Sequence, residues 1–197
     1  MKRRYFMAAS AASISFSQKG FAHSAAELDR QIGPSVLPAE FLPVEVDYFE
    51  PHAPGEICVD PNQFALFWTL PNSRAIKYTV GIGREGLYED GEFTVAFKRK
   101  WPTWTPTPDM IRRDPDRYLQ FAGGVAGGLT NPLGARALYF FDANQQDTYL
   151  RIHGTTDPQT IGQRVSNGCA RLTNNQIIDF YEKVPVGTRV TLKPLTI

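Results

Sequence analysis

Apolar and polar residues change rhythm twice along the 197-residue chain. From Gly55 onward, short apolar runs recur between turn residues. Glu56-Ile57-Cys58-Val59-Asp60, Phe64-Ala65-Leu66-Phe67-Trp68 and Ile76-Lys77-Tyr78-Thr79-Val80-Gly81-Ile82 have the length and the β-branched and aromatic content of strands. After the turn pair Asp90-Gly91, Phe93, Val95 and Phe97 alternate with Thr94, Ala96 and Lys98, the period of a half-buried strand. Leu138–Phe141, Thr148–Ile152 and Arg189–Leu192 extend the series. Only one stretch carries a full helix signature. Thr173 and Gln176 form a capping-box pair, and Ile177, Tyr181 and Val184 follow at spacings of four and three. Many short strands and one late helix predict a mainly-β domain of sandwich or barrel-like architecture over residues 55–197.

The first 54 residues follow other patterns. Pro34, Pro38, Pro43, Pro51 and Pro54 predict a linker over residues 25–54 that runs extended over a surface, as a spacer or packed on the domain, because proline fixes φ and removes a backbone donor. Residues 1–24 read as an export signal: Lys2-Arg3-Arg4, a short Ala- and Ser-rich apolar stretch, then small residues at Ala22 and Ser24. Arg3-Arg4-Tyr5-Phe6-Met7 resembles a twin-arginine signal. The mature chain is expected to begin near Ala25 and to work in the periplasm or cell envelope. The stretch is too short and too polar to stay in a bilayer, so no stable membrane span is expected.

Charge supports this division. The whole chain carries a formal charge of +1, but the signal-like segment holds four bases and no acid, leaving 17 bases against 20 acids in the remainder. A dedicated nucleic-acid binder usually carries a basic excess, so that class is set aside. Two cysteines cannot build a disulfide framework, and three histidines are too few for a His-rich metal centre. Cys58, Cys169 and His153 lack the paired spacing of a zinc site, so no metal is expected.

Two glycine-rich stretches invite a nucleotide-site reading. Gly81-Ile82-Gly83-Arg84-Glu85-Gly86 matches a dinucleotide-binding pattern, but a turn and a strand follow where a helix should open. A glycine-bent hairpin is expected there, with no cofactor. Residues 123–134 lack the Lys-Ser or Lys-Thr of a phosphate loop and read as a flexible loop, either a plain connection or one bordering a site.

The chemistry concentrates between Tyr149 and Arg171. His153 is the one histidine inside the domain, at the end of a strand, and Cys169 follows it by 16 residues, just ahead of the helix. A thiol needs a base to react as a nucleophile near neutrality, and imidazole is the usual one. Gly168 would let the amides of Gly168 and Cys169 converge as an oxyanion site. A buried cysteine and a hydrogen-bonded structural histidine remain open readings of the same residues.

Ile152-His153-Gly154-Thr155 followed by Ser166-x-Gly168-Cys169-x-Arg171 resembles the signature of the L,D-transpeptidases with a YkuD-type catalytic domain. Trp101-Pro102-Thr103-Trp104, Asn131-Pro132-Leu133-Gly134 and Val186-Gly187-Thr188 resemble further blocks of exported members, and the likeness covers residues 55–194. The resemblance implies a peptidoglycan-modifying enzyme. Its cysteine would attack diaminopimelate at position three of a stem peptide, release D-alanine, and pass the acyl group to an amine. The acceptor would be a second diaminopimelate (a 3→3 crosslink), a D-amino acid, or an envelope protein. A thiol hydrolase of the same bonds, or an idle wall-binding module, are the alternatives. Carried over, Cys169 is the nucleophile, His153 the general base and acid, Gly154 the residue orienting His153 through its carbonyl, and Gly168 an oxyanion amide. Arg171 could bind a carboxylate by a bidentate pair, or be a plain surface arginine. Arg151 shares a strand face with His153 and could reach the site. Ser166 is expected to fix the loop. Asn167 departs from the histidine that many members carry there, which puts the role of this side chain in question. Trp101 and Trp104 could line the groove or sit in the core. A catalytic Cys169 must stay free, so no disulfide with Cys58 is expected.

Overall fold

The computed structural model describes residues 24–196, so the expected export signal lies almost wholly outside the described residues. Eleven strands are named among them: β1 (Val44–Asp47), β2 (Ile57–Asp60), β3 (Ala65–Leu70), β4 (Arg74–Thr79), β5 (Ile82–Gly83), β6 (Gly91–Lys100), β7 (Arg136–Phe141), β8 (Asp147–His153), β9 (Arg164–Ser166), β10 (Ala170–Arg171) and β11 (Arg189–Leu192). Nine form one mixed sheet in the order β1-β4-β3-β2-β11-β6-β7-β8-β10, and β5 pairs with β9 in a second, small sheet. The mainly-β expectation is met, and each strand predicted from alternation falls on one of these elements.

The core lies between the large sheet and the helix α4 (Asn174–Lys183). Ile177, Phe180, Tyr181 and Val184 of the helix segment pack with Ile57, Val59, Leu66, Tyr78, Leu138, Phe140, Ile152 and Val190 of the sheet. The 3.6-residue period puts those four side chains on one stripe, which the sheet removes from water. The capping box forms as the sequence predicts: Thr173 Oγ1 accepts from the Gln176 amide at 3.3 Å, and Gln176 Oε1 accepts from the Thr173 amide at 3.2 Å.

Of the two alternatives for residues 25–54, the chain packs on the domain, and it does so through a helix and a strand rather than as an extended linker throughout. Ser24 caps α1 (Ala25–Arg30) with a capping box completed by Glu27. β1 adds to the open edge of β4 in antiparallel register, from Val44↔Lys77 to Asp47↔Arg74. The prolines sit outside both elements, where a missing amide costs no ladder bond. α1 is also anchored by its side chains. Asp29 receives Arg136 Nη1 at 3.0 Å and Nη2 at 2.7 Å, and accepts from Trp101 Nε1 at 2.9 Å. Arg136 is only 2% exposed, so the carboxylate of Asp29 is the partner its charge requires.

The expected hairpin at Gly81–Gly86 is also replaced. β4 ends at Thr79, and Gly81 instead exchanges backbone bonds with Arg171 at 3.0 and 2.7 Å. β5 then runs parallel to β9. A Cβ on Gly81 would lie 2.5 Å from the carbonyl oxygen of Thr160, so glycine here permits close backbone approach.

Between β6 and β7 the chain leaves the sheet. This excursion holds α2 (Pro108–Arg113) and α3 (Pro115–Tyr118), a single 3-10 turn, and the glycine-rich loop. A pair of backbone bonds between Trp104 and Val125, 2.9 and 2.7 Å, ties its base together. The excursion lies over one end of the sheet and forms a lid.

Candidate active site

β8 and β10 run side by side in parallel, with Ala170 opposite Ile152 and Arg171 opposite His153. That register brings Cys169, the residue before β10, next to the end of β8 that carries Arg151 and His153. Cys169 and His153 line one cavity of about 820 Å³, roofed by Trp104, Met110, Arg113, Arg117 and Tyr118 of the lid. Arg171, Arg151, Ser166 and Asn167 also reach its wall. Pro132 and Leu133 of the glycine-rich loop border it, the second of the two alternatives for that loop.

His153 is buried, and its Nδ1 lies 2.5 Å from the carbonyl oxygen of Gly154. A carbonyl can only accept, so Nδ1 carries the proton and Nε2 is left with its lone pair. Burial, then the positive charge of Arg171, push the imidazole down to about 3, while the carbonyls of Gly154 and Leu133 favour its charged form. The imidazole is therefore neutral at ordinary pH. Burial pushes the Cys169 thiol up, with Arg151 and Arg171 opposing the shift. The pair rests as thiol and imidazole rather than as thiolate and imidazolium. Cys169 Sγ lies 3.7 Å from the carbonyl oxygen of Tyr149, a residue whose φ of 60° puts it in the left-handed region. Cys58 and Cys169 are both free; Cys58 is buried in a separate apolar cluster with Tyr48 and Phe67.

The loop carrying Cys169 is held from within. Ser166 Oγ donates to the Cys169 carbonyl at 2.6 Å and accepts from the Gly168 amide at 3.2 Å. The Gly168 amide, expected as an oxyanion donor, is thus already engaged, and the Cys169 amide makes no hydrogen bond among the described residues. Gly168 has φ of 116°, a conformation that leaves the position to glycine. Arg151, expected to reach substrate, is committed instead: both its Nη atoms bond Asp147, at 2.7 and 2.8 Å, and its guanidinium stacks over Tyr139 at 4.2 Å. Arg171 has no such partner among the described residues. Its Nε is buried without a hydrogen bond, and burial pulls its pKa down. Asn167 turns toward the lid. Its Oδ1 accepts from Arg84 Nη2 at 3.1 Å and Arg113 Nη2 at 2.9 Å, and its Nδ2 donates to Tyr118 Oη at 2.9 Å. The two tryptophans divide: Trp101 is buried against α1, and Trp104 faces the cavity.

Sequence reasoning missed Asp147, Arg113, Arg117 and Tyr118. Asp147 could have been found from its spacing of four to Arg151. The lid residues lie on helices too short to show a period, although Thr107-Pro108 and Asp114-Pro115 place a capping residue before a proline.

The model for the YkuD family, described as the L,D-transpeptidase catalytic domain, matches residues 54–192. "Probable L,D-transpeptidase ErfK/SrfK" of Escherichia coli K12 is 36% identical over 139 residues, covering 69% of this chain and 43% of the relative. "Probable L,D-transpeptidase YcfS" of the same organism is 33% identical over 156 residues, covering 77% and 48%. The chain thus spans less than half the length of these two curated relatives. Among solved structures, one from Brucella melitensis named "Probable carnitine operon oxidoreductase caia" has a TM-score of 0.53 at 40% identity, covering 88% of this chain and all of that one. An Enterococcus faecium L,D-transpeptidase has a TM-score of 0.50 at 15% identity, covering 72% and 50%, a likeness of fold.

Proposed function

The chain belongs to the L,D-transpeptidase catalytic domain family, and from that premise we propose that it is a cysteine acyltransferase acting on peptidoglycan stem peptides. The observation that carries this reading is the placement of Cys169 and His153 on the wall of one cavity, both in neutral form, with the unpartnered Arg171 beside them. The resemblance supplies the substrate: a tetrapeptide stem with diaminopimelate at position three.

In this reading Arg171 holds the donor's terminal carboxylate through its free guanidinium face. Cys169 Sγ attacks the carbonyl of the third residue while His153 takes the thiol proton at its free nitrogen. A neutral thiol and a neutral imidazole make this proton transfer part of the attack. The Gly154 and Leu133 carbonyls hold the imidazolium, and the Cys169 amide holds the oxyanion. As the tetrahedral adduct collapses, the C–N bond breaks and His153 returns the proton to the departing D-alanine amine. An acceptor amine then attacks the thioester, gives its proton to His153, and the C–S bond breaks to restore the thiol. Water in place of the amine gives the hydrolase reading; the chain's residues treat both acceptors alike.

The oxidoreductase name carried by the Brucella neighbour has no counterpart in the glycine pattern of this chain. Gly81–Gly86 leads through β5 and a turn into β6, not into the helix that a dinucleotide fold opens there.

The mature protein with purified disaccharide-tetrapeptide, beside Cys169→Ala, tests the proposal by mass spectrometry. A tripeptide-containing dimer made only by the wild type is the expected result. Tripeptide monomer alone points to hydrolysis. Unchanged substrate with no acyl adduct on Cys169 overturns the reading. The envelope location is part of the same proposal, resting on residues 1–24, and N-terminal sequencing of the cellular protein checks it. A sequence beginning near Ala25 is expected, and an intact Met1 in the cytosol contradicts it.

A further inference from the structure

The lid carries three arginines and three aspartates, yet two of its arginines line the cavity without an ion pair among the described residues. Arg113 of α2 and Arg117 of α3 line the cavity opposite Arg171. None of the three enters an ion pair among the described residues. Two buried arginines are matched, Arg136 by Asp29 and, on the same cavity wall, Arg151 by Asp147. Of the two acids on the same wall, Asp109 already serves Arg112 at 2.6 Å, which leaves Glu89 against three cations. Arg113 and Arg117 are exposed to solvent, which screens their mutual repulsion, but together with Arg171 they give the cavity wall a cationic character that favours an entering anion.

Asn167 makes the arrangement more specific. A carboxylate at that position would neutralise Arg84 and Arg113. The amide oxygen instead accepts a hydrogen bond from each, at 3.1 and 2.9 Å, and leaves both charges available. Through Tyr118, at 2.9 Å, the same side chain fixes α3, which bears Arg117. One neutral residue two positions before Cys169 therefore aims cations at the space above the nucleophile.

We propose that Arg113 and Arg117, positioned by Asn167, bind an ionised side-chain carboxylate of the donor, so that the site selects stem peptides whose diaminopimelate carboxylate is free over those in which it is amidated. This rests on the acyl-transfer reading above. Diaminopimelate has two carboxyl groups. One is the carbonyl that Cys169 attacks, the terminal D-alanine carboxylate belongs to Arg171, and the second diaminopimelate carboxylate needs cations of its own. Amidation removes its charge with little change of shape, so the amidated donor is a direct probe.

The experiment measures D-alanine release, as kcat and KM, from disaccharide-tetrapeptide with the diaminopimelate carboxylate free or amidated. It uses the wild type, Arg113→Gln and Arg117→Gln. Wild-type kcat/KM should favour the free donor by about tenfold or more, the scale of one charge-assisted pair, mostly through KM. Each substitution should bring the ratio toward one. Arg117 is exposed and, beyond a cation–π contact with Tyr118 at 5.4 Å, makes no ion pair among the described residues, so Arg117→Gln keeps the test valid if Arg113→Gln weakens the clasp on Asn167. Equal kcat/KM for both donors in the wild type, or a preference that both substitutions leave intact, overturns the proposal. Release from neither donor overturns the acyl-transfer reading and this inference with it.

Discussion

At the scale of single residues, protonation decides how the site works. His153 is held neutral down to about pH 3, so the base remains competent well below the usual histidine range. The pH profile of kcat/KM for D-alanine release should show no acid limb near 6.5, and a limb there would mean that the imidazole titrates freely. On the alkaline side, the raised thiol predicts slow alkylation by iodoacetamide at pH 7, with the rate climbing above the ordinary cysteine range. His153→Gln should lower turnover by roughly 10²- to 10⁴-fold, the usual worth of a positioned general base, with KM less affected. The sequence made Cys169 and His153 legible because their chemistry is rare in this chain. It could not show that Ser166 occupies the Gly168 amide or that Asp147 occupies Arg151. A period of two assigns a face to a side chain, but not the partner it finds there.

Among the elements, alternation and capping patterns marked the strands and α4 because each is long enough to show a period. α2, α3 and β10 are too short for that, and β1 is set by its edge pairing with β4 rather than by local propensity. The unexpected element with the largest energetic consequence is α1. Asp29 neutralises a buried arginine, and Arg136 in turn offers its backbone oxygen to the Gly154 amide at 3.0 Å, one residue from His153. Asp29→Asn should destabilise the fold by about 3 kcal/mol, because it strands a buried charge. Thermal unfolding at neutral pH reads this directly. Arg136 and Trp101 hold the Asp29 carboxyl below the ordinary carboxylate range. Its contribution is therefore present above the unfolded value of 3.8 and is lost as pH falls through the folded one. The wild type and Asp29→Asn should converge in Tm as the pH drops below 3.8. A constant gap down to pH 2 would show that the charge pair is not the source.

For the whole molecule, residues 25–54 belong to the catalytic unit. They supply α1 with its anchor on Arg136 and the outermost strand of the sheet. A chain started at Gly55 should be recovered poorly folded, with circular dichroism and proteolysis as the readouts, whereas one started at Ser24 should fold. Tertiary partners 107 residues apart, such as Asp29 and Arg136, leave no local trace in a sequence, so the prolines could not decide between a spacer and a packed segment. The lid depends in the same way on distant contacts through Asn167.

β10 is only two residues long, yet it is bonded on both sides, to β8 along Ile152 and His153 and to Gly81 at 2.7 Å. It therefore stitches the large sheet to the small one immediately after the nucleophile. Amide exchange should reflect this: the Arg171 amide is expected to exchange only with global opening, while the lid amides exchange through faster local fluctuations. Substrate could then come and go beneath a breathing roof without the thiol and the imidazole losing register.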